Sequence, residues 1–402
     1  MTTGYATKRA EVAWLTDTYV PTDWKSARIK YLTRGMRAGE AIESERIRDS
    51  GSIPVYGGNG VRGFTEDATH SGMHVLIGRQ GALCGNIHLA DGSFWASEHA
   101  IVCSPVSGVD ARWLAYMLHA MNLGQYSVSA AQPGIGVAQV AALETVLPSL
   151  EEQRHIADFL DAETGKMDAM LRAQSRMHEL LDERINHQIL AVIGRSCLGD
   201  RIAGEPVLAM RWLLDKQVRP TSKFPEVITA FRDGQVTARS MRRAEGYTNS
   251  ASSDPQGQAV RIDDVVVHGL DGFAGAIGTS EAEGNCSPVY HVLTPKRGGD
   301  ALYYGRMLRI LALQEYLTGF SFSTRERAFD FRNWDMFGRI PIPVASLFEQ
   351  QHIGEQIRKV RPLREKFEQF GKLLAERRQS LITAAVTGQF DVSTASGRNV
   401  TE

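Results

Sequence analysis

The sequence predicts an α+β protein in which two globular α/β domains are separated by two long helices that pair as an antiparallel coiled coil. Three observations predict this fold: a helix-start motif that occurs twice, a long apolar stripe after each occurrence, and short apolar stretches with glycine-rich turns before each. The predicted divisions are a first domain (1–147), a long helix (148–196), a second domain (197–343), a second long helix (344–390) and a disordered tail (391–402).

Each long helix is predicted to begin with a capping box. Ser149 is followed three residues later by Glu152, and Ser346 is followed by Glu349. At this spacing the serine oxygen and the glutamate side chain satisfy the free amides of the first helical turn. From the capping glutamate to a Leu-Leu pair there are 28 residues in the first copy and 24 in the second. The difference is about one helical turn, which keeps the stripes in phase.

Gaps of three and four separate the apolar residues of each predicted helix, which is typical of one buried face. The residues predicted to mediate helix pairing or partner docking are Ile156, Leu160, Met167, Met170 and Leu181 in the first helix, and Ile353, Ile357, Phe367, Phe370 and Leu374 in the second. A long helix with one stripe needs a partner, so we expect the two to pair. Packing of both into one globular core remains the alternative. Pro362 predicts a kink or a break in the second helix.

Short strands with glycine turns are predicted before the first helix. The predicted strands are residues 25–32, 53–57, 74–78, 94–95 and 100–102, and residues 112–123 are predicted to form a helix. The second domain repeats a weak version of this pattern: residues 265–267 parallel 75–77, residues 275–278 parallel 81–83, and residues 287–295 parallel 97–105. This indicates a duplication whose helices stayed alike while its globular parts diverged.

Composition restricts the function only loosely. The 402 residues allow two to four domains, and 45 basic against 46 acidic residues neither require nor exclude nucleic acid. The four cysteines are scattered without a Cys-x-x-Cys, so neither a metal site nor a disulfide framework is predicted. The sequence shows neither an apolar signal region nor a stretch of membrane-spanning length, which predicts a cytoplasmic protein.

Several motifs, taken together and in order, resemble the specificity subunit of type I restriction–modification enzymes. They are the Leu-Pro-x-Leu-Glu-Glu-Gln segment with Ile156 and Ala157, the later Leu-Leu-x-Glu-Arg, Ile-Pro-Val-Tyr-Gly-Gly-Asn-Gly at 53–60, Ser-Ala-Ala-Gln-Pro-Gly-Ile at 129–135, and Ala-Val-Thr-Gly at 385–388. Two features depart from the family pattern: Phe348 precedes the second capping glutamate, and Pro362 lies inside the second helix.

The resemblance implies a non-catalytic subunit whose two globular domains are target-recognition domains, each reading one half of a bipartite, asymmetric sequence in double-stranded DNA. It implies that the helices dock two methyltransferase subunits, to which restriction and translocase subunits attach. Cofactors are then expected on the partners only, as S-adenosylmethionine and ATP. One helical turn changes the reach of the helices by about 6 Å, close to two base-pair steps, so the spacer is expected to act as a ruler.

Basic and polar residues on loops are the candidate DNA contacts, because such side chains hold phosphates and read base edges. They are Lys25, Arg28, Lys30, Gly58, Asn59, Arg79 and Gln80 in the first domain, and Arg239, Arg242, Arg243, Arg325 and Arg327 in the second. For each, a solvated loop or a structural turn is the alternative. The rival functions are an interaction scaffold, which near-neutral charge allows, and a self-contained methyltransferase or nuclease, for which we find no motif.

Overall fold

A computed structural model of the chain describes residues 6–127, 133–194, 207–223, 226–242, 257–320 and 330–392. It has the predicted α+β fold with two long helices. The chain divides into two compact units. The first unit comprises Met1–Arg172 and Phe370–Glu402, and the second comprises Ala173–Gln369. Among the described residues, no helix combines the length and apolar composition that a membrane span requires.

Short strands dominate the part of the chain before the first long helix. The strands are β1 (Thr7–Arg9), β2 (Tyr19–Pro21), β3 (Lys25–Arg28), β4 (Thr33–Ala38), β5 (Ile53–Gly57), β6 (Gly60–Thr65), β7 (His70–Ser71), β8 (His74–Gly78), β9 (Ile87–Ala90), β10 (Ser93–Ala96), β11 (Ala100–Pro105) and β12 (Glu144–Leu147). The helices are α1 (Ile29–Leu32), α2 (Ala111–Ala120) and α3 (Val137–Ala142), followed by the long helix α4 (Leu150–Gly194).

The same kinds of element recur after α4. The strands are β13 (Val207–Ala209), β14 (Leu214–Lys216), β15 (Ile228–Ala230), β16 (Val236–Ala238), β17 (Gln258–Val260), β18 (Val265–His268), β19 (Ile277–Thr279), β20 (Gly284–Cys286), β21 (Tyr290–Pro295) and β22 (Pro341–Pro343). The helices are α5 (Met210–Leu213), α6 (Ala301–Leu313) and α7 (Trp334–Phe337), followed by the long helix α8 (Leu347–Val386).

The duplication is visible in the strand order. A sheet in the first unit runs β4-β11-β8-β9, and its counterpart in the second unit runs β14-β21-β18-β19. Ile77 pairs with Ile87 and Ile101, whereas Val267, 190 residues later, pairs with Ile277 and His291, each also 190 residues later. Both central strands are buried, as the apolar residues 75–77 and 265–267 predicted.

This register corrects one predicted parallel. Residues 275–278 were expected to correspond to residues 81–83, but the pairing places Gly275 opposite Gly85 in the alignment of the two units. Both glycines adopt a positive φ, +88° at Gly85 and +91° at Gly275, just before strands β9 and β19. The glycine needed to turn the chain was misidentified because residues 81–85 contain two of them.

The predicted strand over residues 25–32 is only half correct. β3 ends at Arg28, where its pairing with β12 ends, and α1 follows over Ile29–Leu32. Ile29 and Leu32 are both buried in the first core. A spacing of three residues brings two side chains to the same face of a helical turn but to opposite faces of a strand, so burial of both favours the turn.

Both capping boxes form. The amide of Glu152 donates to Ser149 Oγ at 3.3 Å, and the amide of Glu349 donates to Ser346 Oγ at 3.2 Å. The glutamates accept from the serine amides at 3.0 Å in both copies. The break predicted at Pro362 is absent, since α8 continues through it. A proline removes one backbone hydrogen bond, and packing of Ile357 and Val360 against the second core holds the turn before it.

The two long helices run antiparallel within each unit. In the first unit Asp168 forms an ion pair with Arg378, and Leu171 lies against Gly371, so later residues of α4 meet earlier residues of α8. In the second unit the ring of His178 lies 6.2 Å from that of Phe367. Phe348, which departs from the family pattern, is 78% exposed, and the helix begins normally around it.

Each core includes one end of α4 and the opposite end of α8. The first core joins Trp113 and Leu118 to Ile156 of α4 and Ile382 of α8. A different set forms the second core, which joins Tyr303, Ile189 and Ile353. The compact units therefore cross the predicted boundaries, because each combines one globular part with half of each helix. Phe390 and Val392 still pack against the first core, and residues 393–402, the rest of the predicted tail, lie outside the described residues.

Candidate nucleic-acid interface

A hairpin displays Gly58 and Asn59 at its tip. Gly57 of β5 pairs with Gly60 of β6, which leaves a two-residue loop between the strands. The tip lies very close to the end of β8: a Cβ added to Gly78 would be 2.2 Å from the carbonyl oxygen of Gly58. Real Cβ atoms do not approach a backbone oxygen so closely. Glycine at position 78 therefore lets the hairpin reach the neighbouring loop.

Arg79 and Gln80 occupy that neighbouring loop, which main-chain bonds hold in place. The amide of Arg79 donates to the carbonyl of His99 at 2.8 Å, and the amide of Ile135 donates to the carbonyl of Arg79 at 3.0 Å. Gln80 also forms an isolated bridge with Gly134. The loop conformation therefore does not depend on the side chains of Arg79 and Gln80, which are half-buried and exposed, respectively.

The structure brings four of the predicted first-domain residues into one place. We call Gly58, Asn59, Arg79, Gln80, Asn86 and His99 the first loop cluster. Asn86 Nδ2 donates to Asn59 Oδ1 at 2.8 Å, and His99 Nδ1 lies 3.1 Å from Gln80 Oε1. Arg79 Nη1 donates to the carbonyl of Glu98 at 3.4 Å. Amide, imidazole and guanidinium groups at one surface are the groups that hydrogen-bond base edges.

Sequence reasoning missed Asn86, Glu98 and His99. Each lies one or two residues from a strand end, where only the fold shows that it faces the hairpin. Glu98 Oε1 lies 3.1 Å from His99 Nε2, so an acidic group also borders this surface. Burial lowers the pKa of His88, whose ring lies against Gly60 at the hairpin base, and this favours its neutral form.

Lys25, Arg28 and Lys30 lie on another part of the first unit. Lys25 pairs with Leu147 and Arg28 with Glu144 across β3 and β12, immediately before α4 begins. Arg28 Nε is 3.0 Å from Glu144 Oε1, so a carboxylate already neutralises its charge. Lys30 Nζ lies 4.7 Å from the ring centroid of Tyr31. Within the described residues, no contact that we observe joins these three to the first loop cluster.

The second unit keeps the loop frame but not its side chains. The amide of Gly269 donates to the carbonyl of Val289 at 3.0 Å, and the amide of Phe331 donates to the carbonyl of Gly269 at 2.8 Å. These bonds match those of Arg79 at positions 190 residues earlier for Gly269 and Val289. Where the first unit has Arg79, Gln80 and His99, the second has Gly269, Leu270 and Val289.

The candidates in the second unit are partly occupied by internal contacts. Arg239 Nε donates to Thr229 Oγ1 at 3.3 Å. Arg242 is 2.9 Å from Asp233 and stacks 4.3 Å from the ring centroid of Phe231. The remaining candidates, Arg243, Arg325 and Arg327, lie outside the described residues. DNA contact stays a prediction for all of these residues.

The residues predicted for helix pairing or docking fall into two groups. Those that are buried or packed are Ile156, Leu160, Met167, Ile353, Ile357 and Leu374, with Leu181 and Phe367 half-buried. Met170 and Phe370 remain 53% and 41% exposed. The exposed pair lies in the first unit, where Leu373 is also exposed. Assignment of each residue to pairing or docking stays a prediction.

Comparison with known families identifies the class of the protein. Residues 21–170 match the model of the type I restriction modification DNA specificity domain. They include the first loop cluster, β3 and the first half of α4. This part of the chain therefore belongs to that domain family, and the resemblance to type I specificity subunits is confirmed.

Two curated relatives carry the same description. The type I restriction enzyme EcoprrI specificity subunit of Escherichia coli is 47% identical over 130 residues, which cover 31% of this chain and 32% of that protein. A putative type I restriction enzyme specificity subunit, S.HindORF215P of Haemophilus influenzae, is 31% identical over 122 residues, or 30% and 32%. The matches thus span about a third of the length of these relatives.

Solved structures extend the likeness in fold to nearly the whole chain. The type I restriction–modification S subunit of M. genitalium has a TM-score of 0.51 at 15% identity, covering 90% of this chain and 96% of that one. A chain from a study of assembly and conformational transition in the type I system has a TM-score of 0.59 at 14% identity, covering 92% and 99%. At these identities the likeness concerns the fold.

Proposed function

We propose that this chain is the DNA-reading specificity subunit of a type I restriction–modification enzyme, and that its two units read the two halves of a bipartite, asymmetric target. The observation that carries the proposal is the repeated loop frame with different side chains. Arg79 and Gln80 occupy it in the first unit, and Gly269 and Leu270 occupy it in the second. Equal frames with unequal side chains suit two unlike half-sites.

The family match supports DNA as the ligand of the first unit, since the first loop cluster lies inside the matched residues 21–170. Arg79 and Gln80 are suited to guanine and adenine edges, respectively. Asn59, Asn86 and His99 add further donors and acceptors. The basic residues Lys25, Arg28 and Lys30 are assigned to backbone phosphates, which fix position without reading sequence.

We further propose that the long helices dock two methyltransferase subunits, and that restriction and translocase subunits attach through these. Exposed apolar residues on the helices of the first unit support docking: Met170, Phe370 and Leu373. In this proposal the chain has no catalytic role, and S-adenosylmethionine and ATP bind the partner subunits only. Helix length then sets the separation of the half-sites, at about 6 Å for each turn added or removed.

A domain exchange tests the proposal. The chain is co-expressed with a methyltransferase subunit, and residues 207–343 are replaced by the corresponding segment of a relative with another target. We expect one half of the methylated sequence to change and the other to stay. The matched control exchanges residues 1–147 and should change the opposite half.

An unchanged target after both exchanges would contradict the assignment. The scaffold alternative is distinguished by binding to duplex DNA at several salt concentrations. Phosphate contacts release counterions, so a DNA-reading complex loses affinity steeply as salt rises. A scaffold that binds only proteins would show no such slope with DNA.

A further inference from the structure

The second unit contains a polar pocket that the proposed function does not use. Its volume is about 90 Å³, whereas one water needs roughly 10–15 Å³. Side chains from α4, α6 and α8 and the turn at Gly234 line it. Four of its lining residues are arginines, and we call this site the arginine pocket: Arg306, Arg309, Arg361 and Arg364.

The duplication shows that these arginines are particular to the second unit. By the register of α2 and α6, Arg306 and Arg309 correspond to Tyr116 and His119. By the matched starts of α4 and α8, Arg361 and Arg364 correspond to Thr164 and Met167. The first-unit residues are an aromatic, an imidazole, a hydroxyl and a thioether. Burial lowers the pKa of His119, so that position also favours a neutral group.

Nearby carboxylates neutralise three of the four arginines. Arg306 lies 3.0 Å from Asp182, and Arg361 lies 3.1 Å from Glu281. Arg364 lies 3.4 Å from Asp233, a carboxylate that Arg242 also contacts at 2.9 Å. The acidic groups lining the pocket are thus already engaged, and one of them is shared by two guanidinium groups.

Arg309 is the arginine of the pocket for which the described residues provide no carboxylate within ion-pair distance. Its Nη2 donates to the carbonyl of Arg232 at 3.2 Å, while its buried Nε has no hydrogen-bond partner. Burial, followed by repulsion from Arg306, lowers the pKa of the Arg309 guanidinium. A buried cation without a counter-charge is costly, and an anion beside it would offset that cost.

The backbone accommodates Arg309 at this position. Gly234 has a φ of +88°, and a Cβ there would lie 2.5 Å from Cδ of Arg309. Both facts favour glycine, which leaves room for the arginine side chain to pass the turn. The guanidinium is therefore held by the turn and by the carbonyl of Arg232, instead of moving freely in solvent.

We propose that the arginine pocket binds a phosphate-class oxyanion, with Arg309 as its principal ligand. A guanidinium presents parallel N–H donors that match two oxygens of such an anion, and Arg306 and Arg364 line the same pocket. The anion is either a free phosphate or a phosphate of nucleic acid. The binding itself does not depend on the proposed function of the chain.

The test is a titration of the full chain with inorganic phosphate at constant ionic strength, maintained with sodium chloride, followed by calorimetry and by the thermal unfolding temperature. Saturable binding and a rise in unfolding temperature are expected for the unaltered chain. Arg309→Gln should weaken phosphate binding at least tenfold, and Arg309→Lys, which keeps the charge, should retain part of it. Circular dichroism of each variant verifies folding.

The matched control is Arg112→Gln, which removes an arginine from the first unit, where it pairs with Asp158 and Asp161. It should leave phosphate binding unchanged. Two results would overturn the proposal: no saturable binding to the unaltered chain, which would mean that water fills the pocket, or equal binding by the unaltered chain and Arg309→Gln.

A second arm identifies the source of the anion. If the pocket holds a DNA phosphate, inorganic phosphate competes with duplex DNA, and Arg309→Gln lowers the salt slope of DNA binding by about one. If the anion is free, the variant loses phosphate binding but keeps its DNA affinity and salt slope. Either result supports the pocket and assigns its ligand.

Discussion

The loop at Arg79 in the first unit and the loop at Gly269 in the second show what the duplication kept. In each, one backbone amide donates across to the next strand, at 2.8 Å to His99 and at 3.0 Å to Val289. Main-chain bonds do not depend on the identity of the side chain. The loops could therefore change from Arg-Gln to Gly-Leu without loss of the frame. The comparison teaches that the displayed side chains are separable from the structure that displays them.

The largest contrast between the units is that of a buried and an exposed ion pair. Asp264 is 3% exposed and accepts from Arg219 and from the amide of Arg261, the latter at 2.7 Å. We expect Asp264→Asn to lower the free energy of unfolding of the second unit by about 3–5 kcal/mol, because it leaves a buried charge unpaired. Arg28→Gln, which opens the exposed pair with Glu144, should cost less than about 1 kcal/mol.

Urea denaturation of both variants measures these changes. Hydrogen exchange of the amides of β8 and β18 assigns each loss to a unit. Similar losses for the two variants would show that burial does not distinguish the pairs.

The helix ends should stabilise the units separately. Leu160 is fully buried in the first core and Ile189 in the second. Leu160→Ala should cost about 2–5 kcal/mol and reduce protection from hydrogen exchange in the first unit. Ile189→Ala should act likewise on the second. Met170→Ala, at an exposed position of the same helix, should cost less than about 0.5 kcal/mol. Loss of protection throughout the chain in either core variant would disprove separate cores.

A glutamine in each helix joins α4 or α8 to its own unit. Gln153 Oε1 accepts from the amide of Asp110 at 2.9 Å, and Gln350 Oε1 accepts from the amide of Asp300 at 3.3 Å. Each donates back to a carbonyl just before its helix. Alanine at either position should cost about 1–3 kcal/mol, since a buried amide loses its partner. The shorter bond predicts the larger loss at Gln153.

Exchange rates of the Asp110 and Asp300 amides report on the two variants individually. Gln369→Ala serves as the control, because that side chain is exposed on α8 and contacts Glu365. Unchanged exchange at Asp110 in Gln153→Ala would refute the role assigned to this side chain.

The smallest predicted effect concerns base reading. Arg79→Ala in the complex with a methyltransferase should reduce discrimination at one base pair of one half-site, by about 1–3 kcal/mol. The other half-site should be read normally, because the second unit has Gly269 in the corresponding place. Arg9→Ala, which removes an exposed guanidinium from β1, is the control. Methylation of a library of target variants measures the effect, and an unchanged preference at every position would exclude Arg79 as a reader.

The long helices could be predicted from the sequence because their signals are local. The capping boxes at Ser149 and Ser346 and the stripes of three and four residues both appear in the structure. Continuity of α8 through Pro362 could not be predicted, because neighbouring turns held by the second core oppose the local effect of proline. The unit boundaries were also hidden, since they depend on which core receives each end of a helix.

The candidate site was predictable only in part. Gly58, Asn59, Arg79 and Gln80 belong to turns that glycine marks in the sequence, and they do come together. Asn86 and His99 carry no such mark, because the strand register brings them there from other segments. The pairing of Arg28 with Glu144 was likewise not visible, since 116 residues separate the two.

The first core has a consequence for the order in which the chain matures during synthesis. Ile382, Ala385 and Val386 complete that core, although most of it comes from residues 12–160. The ribosome makes the amino-terminal part first but delivers its final pieces last. The second unit, which lies within residues 173–369, has all its parts earlier. The domain that is begun first is therefore the one finished last, and until then it leaves an apolar surface open to chaperones and aggregation.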